Sequence, residues 1–351
     1  MASLAAAEAL VSQCSSALAA LGPFEPAPHL AVALSGGADS TALTLLAHDW
    51  ARAAGGNVTA LIVDHRLRPE SSKEAGEVAL RMKALGIACE ILTLAQSPHA
   101  KTGNLMARAR QARYEALTGW CRKAEVMHLL VAHHAEDQAE TVALHQQRGN
   151  TEDGAAGIAA LSLRSGVRLL RPLLKCSKQQ LVEYLLAKNI AWVEDPTNRN
   201  LQFRRNALRH TLTEDARAEL LAEAESAGRT RAARDKAQAE AAARVIVTLR
   251  ADRVDYDLKA FAALPASIAA RLLADTLRAL GGGVTRPRKH ETLRLYTAIL
   301  APDFTVATLA HCRIEKRHHT LHITRTRPKN PGGNSLFQPA KPLAASPFWW
   351  L

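Results

Sequence analysis

Between Leu30 and Ala47 the chain passes from an apolar run into Ser-Gly-Gly-Ala-Asp-Ser and straight on into a helical pattern, an order few folds accept. Leu30 to Leu34 has the length and apolarity of a buried strand. Ser35, Gly36 and Gly37 break it, and from Thr41 apolar residues recur at helical spacing. Strand, glycine turn and helix point backbone N–H groups and the positive end of a helix at an anion. Glycines in such a turn take dihedrals that other residues avoid and let a phosphate approach the backbone. The stretch therefore reads as a phosphate cradle. It is neither G-x-x-x-x-G-K-[ST] nor G-x-G-x-x-G.

The same alternation continues. Val58–His65, Ala88–Leu94 and Met127–His134 read as further strands, each followed by a helical pattern, the last being "AEDQAETVALHQQRG". Repeated β-α units predict an α/β fold with a Rossmann-like parallel sheet covered on both faces, and ligands at the carboxyl ends of its strands. Three polar motifs fall at those ends: Ser35–Ser40, Asp64–Arg68 and His133–Glu140. Arg171–Trp192 gives a turn and another helix, and a polar, basic stretch follows. The Ala-rich, charged segment 213–249 predicts one or two long helices, with Gly228 as the point of interruption. The expected organisation is a catalytic domain over 1–212, a helical linker over 213–249 and a smaller α+β domain over 250–351. That last part holds a helix ending at a glycine stop, a terminal hairpin and an extended Pro- and Gly-rich tail.

Composition narrows the partners. The 351 residues carry a formal net charge of +12, which fits either a polyanionic partner such as nucleic acid or solubility by charge. Five scattered cysteines with no C-x-x-C argue against a disulfide framework, a zinc ribbon and a ligated iron–sulfur cluster, and fit a reducing cytoplasm. The N-terminal stretch lacks a basic start and carries Glu8, so it reads as an amphipathic helix and not as a signal peptide. No apolar run reaches the roughly 18 residues of a membrane span.

Ser35-Gly36-Gly37-Ala38-Asp39-Ser40 resembles the pyrophosphate loop of the N-type ATP pyrophosphatases. The motifs "VDHRLRPES", "ARQARYEAL", "AHHAEDQAET", "RPLL" and "DPTNRNLQFRRNALR", in this order, resemble the tRNA(Ile)-lysidine synthetase family across the first 210 residues or so. Two departures stand out: Glu136-Asp137 in the A-H-H motif, and Arg148-Gly149-Asn150-Thr151 where the family usually has R-G-S-G. The resemblance implies ATP and Mg²⁺ as cofactors, L-lysine as substrate, and the isoleucine tRNA with a CAU anticodon as partner. It leaves open whether two chains pair.

Residue by residue, the resemblance assigns Ser35, Gly36, Gly37, Ala38, Asp39 and Ser40 to ATP; Asp64, at the end of the second strand, falls near the ribose or adenine of a nucleotide, and His133 is expected to touch the nucleotide or the substrate. Asp39 and Asp137 are the implied Mg²⁺ ligands. Asp137 and Glu140, three apart and so on one side of a helix, are implied to bind a cation: the metal, the ammonium groups of lysine, or both. Glu140 is also placed to take a proton from the attacking amine. Arg113 is assigned to the lysine carboxylate or a phosphate. Arg205 is assigned to charge developing in adenylation, with tRNA backbone contact as the alternative. Asp39, Asp137, Glu140 and Arg205 make up the expected catalytic set. Arg209, Arg286, Arg288, Lys289, Arg313 and Arg317 are the expected tRNA contacts, through phosphates more than bases, since only 4% of residues are aromatic. A solvated basic face is the competing reading of each cluster.

Overall fold

The computed structural model describes residues 2–66, 71–94, 105–147, 149, 152–193, 212–283 and 285–326. They form two compact units, Met1–Arg229 and Thr230–Leu351.

In the first unit, helix α1 (Ala2–Ala20) precedes strand β1 (His29–Ala33), α2 (Ala38–Ala53), β2 (Asn57–Asp64), α3 (Ser71–Ala84) and β3 (Ala88–Thr93). Then come α4 (Leu105–Lys123), β4 (His128–Leu130), α5 (Ala135–Gln146), the short α6 (Glu152–Ala155), β5 (Leu161–Arg164), β6 (Val167–Leu170) and α7 (Lys178–Ala187). The sheet order is β3-β2-β1-β4-β6-β5. All pairs are parallel except β5–β6, which closes one edge as an antiparallel hairpin.

Both faces are covered, as the alternating pattern predicts. Leu30 and Val32 of β1 join a core with residues of α1, α2, α3 and α7, while Ala31 joins the opposite core with Tyr114, Leu117 and Cys121 of α4. The N-terminal helix buries Leu10, Cys14 and Leu18, one helical turn apart, and packs on α7. No helix among the described residues is long and apolar enough to cross a membrane. Because β1→β2→β3 builds outward in one direction and β4→β6 in the other, the carboxyl ends of β1 and β4 flank the sheet's switch point. An open α/β sheet leaves its ligand crevice there.

Helix α8 (Glu214–Val245) runs unbroken through Gly228. It ends earlier than the expected linker, because Ile246–Leu249 forms strand β7, followed by β8 (Arg253–Asp257). The second unit adds α9 (Leu258–Ala262), α10 (Ala266–Gly281), α11 (Lys289–Leu300), β9 (Val306–Leu309), β10 (Cys312–Arg317) and β11 (Thr320–Arg325). Its five strands form an antiparallel sheet, β7-β8-β11-β10-β9. Val254, Tyr256, Ile314, Leu321 and Ile323 face Leu273, Leu277 and Ile299 of the helices, and the Tyr256 hydroxyl bonds the Thr276 hydroxyl in that core. The glycine stop is real: Gly282 caps α10 in the left-handed conformation, φ +77°. The expected terminal hairpin is a three-stranded meander, since β9 pairs with β10 as well.

Candidate active site

The glycine loop leaves β1 and enters α2 as the sequence requires. Gly36 has φ +85°, and a Cβ there would sit 2.8 Å from Val78 Cγ2, so any larger residue meets both backbone strain and α3. Two serines tie the loop together. The Ser35 N–H donates to Ser40 Oγ at 3.1 Å, Ser40 Oγ donates to the Gly37 carbonyl at 3.1 Å, and the two hydroxyl oxygens lie 3.0 Å apart. The Val193 N–H anchors the Gly36 carbonyl at 2.8 Å. Asp39 occupies the first turn of α2, and its Oδ1 is buried with no hydrogen-bond donor in reach among the described residues.

Across the switch point, β4 runs into Ala132-His133-His134 and then α5. His134 is the N-cap of α5, and the Asp137 carboxylate one turn on accepts its backbone N–H at 3.2 Å. The His134 ring is buried among acids: Nδ1 lies 2.8 Å from Glu136 Oε2, and Nε2 lies 3.5 Å from Asp137 Oδ2 and 3.6 Å from Asp39 Oδ2. Burial opposes the charged ring, but the Glu136 hydrogen bond and the charges of Asp137, Asp39 and Glu136 outweigh it and raise its pKa. Burial likewise opposes the Glu136 carboxylate, yet His134 and the Lys178 N–H hold its pKa down at about 2. Glu140 follows Asp137 by one turn and is buried.

His133, one residue before His134, has different company. Its Nδ1 is buried with no hydrogen-bond partner among the described residues. Burial depresses its pKa to about 4; Asp137 works against this, while Arg171, Arg110 and Arg113 add to it. Burial lowers the Arg113 pKa too, and this guanidinium stacks at 5.7 Å from the Tyr114 ring centroid. Arg171, at the end of β6, donates to the Ala159 carbonyl at 2.7 Å and Ser162 Oγ at 3.0 Å. The site is thus divided by charge. Carboxylates from α2 and α5 gather round His134, whereas arginines of α4 and the end of β6 act on His133 together with Asp137. One side suits a cation or ammonium group, the other an anion.

The acids fit Mg²⁺ by chemistry: their donors are hard oxygens, and one buried oxygen of Asp39 has no hydrogen-bond partner among the described residues. Two carboxylates, and not a full cage, is also how proteins usually share this ion with phosphates.

Of the residues expected from sequence, the loop, Asp39, His133, Asp137 and Glu140 lie at or beside the carboxyl ends of β1 and β4. Asp64 ends β2, with both oxygens engaged: Ser72 Oγ donates to Oδ2 at 2.6 Å and the Arg66 N–H to Oδ1 at 2.9 Å. Arg205 and Arg209 lie outside the described residues. Two participants were missed, His134 and Glu136. The available signal was H-x-x-D at a strand end, the spacing with which an N3 carboxylate caps a helix.

In the second unit, Arg286 forms a two-pronged ion pair with Asp275, at 2.6 and 3.1 Å. Arg288 is the N-cap of α11 and Lys289 its first residue. Arg313 and Arg317 straddle Glu315 on the sheet face opposite the core, at 3.4 and 3.1 Å. With Arg253, His322 and Thr324 these three line a shallow cavity of about 250 Å³.

A PP-loop domain family matches residues 9–216. The tRNA(Ile)-lysidine synthase of Wolbachia pipientis wMel is 35% identical over 310 residues, covering 84% of this chain and 70% of its own. That of Bradyrhizobium diazoefficiens is 39% identical, with 77% and 78% covered. Among solved structures, the U34-tRNA thiolase NcsA of Methanococcus maripaludis, which holds a [4Fe-4S] cluster, superposes with a TM-score of 0.53 at 16% identity. The match covers 64% of this chain and 78% of that one, a likeness of fold.

Proposed function

The chain belongs to the tRNA(Ile)-lysidine synthases, ligases built on the PP-loop domain, and from that premise we propose that it joins L-lysine to C2 of the wobble cytidine in the CAU-anticodon isoleucine tRNA. ATP is the co-substrate and an adenylated cytidine the intermediate. The observation that carries this reading is the cluster of Asp39, His134 and Asp137 beside a serine-glycine phosphate loop.

In the first step the cytidine O2 attacks the α-phosphorus of ATP and pyrophosphate leaves. The Ser35 and Ser40 hydroxyls and the loop's amides supply donors to the departing phosphates. Asp39 and Asp137 would hold Mg²⁺, which offsets phosphate charge when bound. In the second step the ε-amine of lysine attacks C2, the C2–O2 bond breaks and AMP leaves carrying O2. The amine must first lose a proton, and Glu140, buried one turn beyond Asp137, is our assignment for the acceptor. Arg113, stacked beside the anion side of the crevice, is assigned to the lysine carboxylate, and Arg205 to charge developing at the phosphorus. The product is lysidine, with AMP and pyrophosphate. Sulfur transfer finds little support: the five cysteines are all free, four of them are buried, and they lie far apart in sequence.

The test uses purified protein, Mg²⁺–ATP, radiolabelled lysine and a transcript of the CAU-anticodon tRNA, beside a transcript with U at the wobble position. Alkali-resistant label on the first RNA alone is the expected result, because an aminoacyl ester is lost in alkali. tRNA-dependent AMP and pyrophosphate without label would keep adenylation and overturn lysine as nucleophile. Neither label nor AMP would overturn the reading altogether.

A further inference from the structure

Asp39 and Asp137 sit on different helices, and one buried side chain lies between them. His134 Nε2 is 3.6 Å from Asp39 Oδ2 and 3.5 Å from Asp137 Oδ2. On its other edge, Nδ1 meets Glu136 Oε2 at 2.8 Å, and Glu136 in turn accepts the Lys178 N–H at the start of α7. A continuous polar chain therefore runs from α7 through Glu136 and the imidazole to the loop acid of α2 and the acid of α5. His134 caps α5, but capping does not call for an imidazole. Ser, Thr, Asp and Asn are the favoured N-caps, and a short side chain of that kind would not span from Glu136 to Asp39.

We propose that His134 is a positioning residue. Pinned by Glu136, it holds the Asp39 and Asp137 carboxylates in register, so that the two acids are presented together to the metal–nucleotide. It takes no part in bond making. This rests on the reading of Asp39 and Asp137 as the Mg²⁺–ATP acids.

Isosteric amides separate the two edges of the ring. His134→Asn keeps a donor near the Nδ1 position, toward Glu136, and withdraws from the acids. His134→Gln keeps one near Nε2, toward the acids. The readout is Mn²⁺ binding to the full chain with a non-hydrolysable ATP analogue, measured from the free-Mn²⁺ electron paramagnetic resonance signal. Loss of an outer partner costs metal affinity roughly ten-fold or more, so H134N is expected to weaken Mn²⁺ binding about that much and H134Q to stay within about three-fold of the parent. Parent-like affinity in H134N, or equal impairment in both, overturns the proposal. Asp39→Asn is the control. If D39N leaves Mn²⁺ affinity intact, the reading of the acids fails and takes this inference with it. If D39N weakens binding and H134N does not, only the positioning role fails. Should the His134 variants not fold, Glu136→Gln carries the test, with at least about three-fold weaker Mn²⁺ binding expected and unchanged affinity overturning the proposal.

Discussion

His128 is buried at the amino end of β4, with Nε2 2.7 Å from Glu25 Oε2 and Nδ1 3.3 Å from the Arg168 guanidinium. Arg168 can only donate, so Nδ1 must accept and the proton sits on Nε2, donated to Glu25. The ring is neutral. Burial is the main reason its pKa falls below the ordinary value, with Glu25 opposing and Arg168 adding. The unfolded chain therefore binds a proton that the folded chain refuses, and stability drops as pH falls below the unfolded value of about 6.5. Glu25 acts in the same direction lower down. Burial opposes its charged form, but hydrogen bonds from its own backbone N–H and His128 prevail and lower its pKa, so its contribution is lost as pH falls from about 4.5. His128→Gln keeps a donor toward Glu25 but cannot titrate. It is expected to cost about 1 kcal/mol at pH 7.5, and its urea midpoint should fall less than the parent's between pH 7.5 and 5.5. Parallel curves would show that His128 is not the titrating group. None of this was legible in the sequence, where His128 is one apolar-flanked histidine among fourteen. His133 and His134 were legible as a pair, but their opposite surroundings were not, since the arginines and the Asp39 carboxylate come from segments far away along the chain.

At the level of elements, alternation and breakers revealed the parallel strands and the loop between β1 and α2, because each carries its own pattern. The β5–β6 hairpin went unread although its signal was present. Ser165 and Gly166 both have positive φ, a two-residue turn of the kind the dipeptide Ser-Gly announces. The turn joining β9 to β10 had no such signal: Ala310 and His311 also both take positive φ, without a glycine or asparagine. Tertiary pairing imposes that turn against local preference. Helix α8 is the converse case. Gly228 reads as an interruption, yet the helix continues through it, and a Cβ there would meet nothing within 4 Å. The glycine only adds freedom to the unfolded chain. Gly228→Ala is therefore expected to stabilise the protein by about 0.5–1 kcal/mol, read as a higher urea midpoint. An unchanged or lower midpoint would mean that the glycine serves a bend or a contact.

For the whole molecule, the net charge of +12 says that a polyanion is welcome but not where it binds. Geometry sorts the arginines that sequence grouped together. Arg286 is held in a two-pronged pair with Asp275, which also accepts from Gln238 at 2.7 Å. Its removal would leave a buried carboxylate with weaker company, at a cost of roughly 1–3 kcal/mol. Arg313 and Arg317 lie more than half exposed on a solvent-facing sheet surface and share one partner, Glu315. Two guanidinium groups against one carboxylate leave charge over for phosphates. If these two neutralise tRNA phosphates, replacing both by alanine makes the dependence of log affinity on log salt shallower by roughly one to two units, since each contact releases close to one counterion. Arg286→Ala is expected to do the reverse, lowering the melting temperature while leaving that slope as it was. Filter binding of the isoleucine tRNA across a salt series, beside melting curves for each variant, checks both. A slope that changes with Arg286 and not with the Arg313/Arg317 pair would place the RNA on the helical side of this unit and remove its sheet face from the interface.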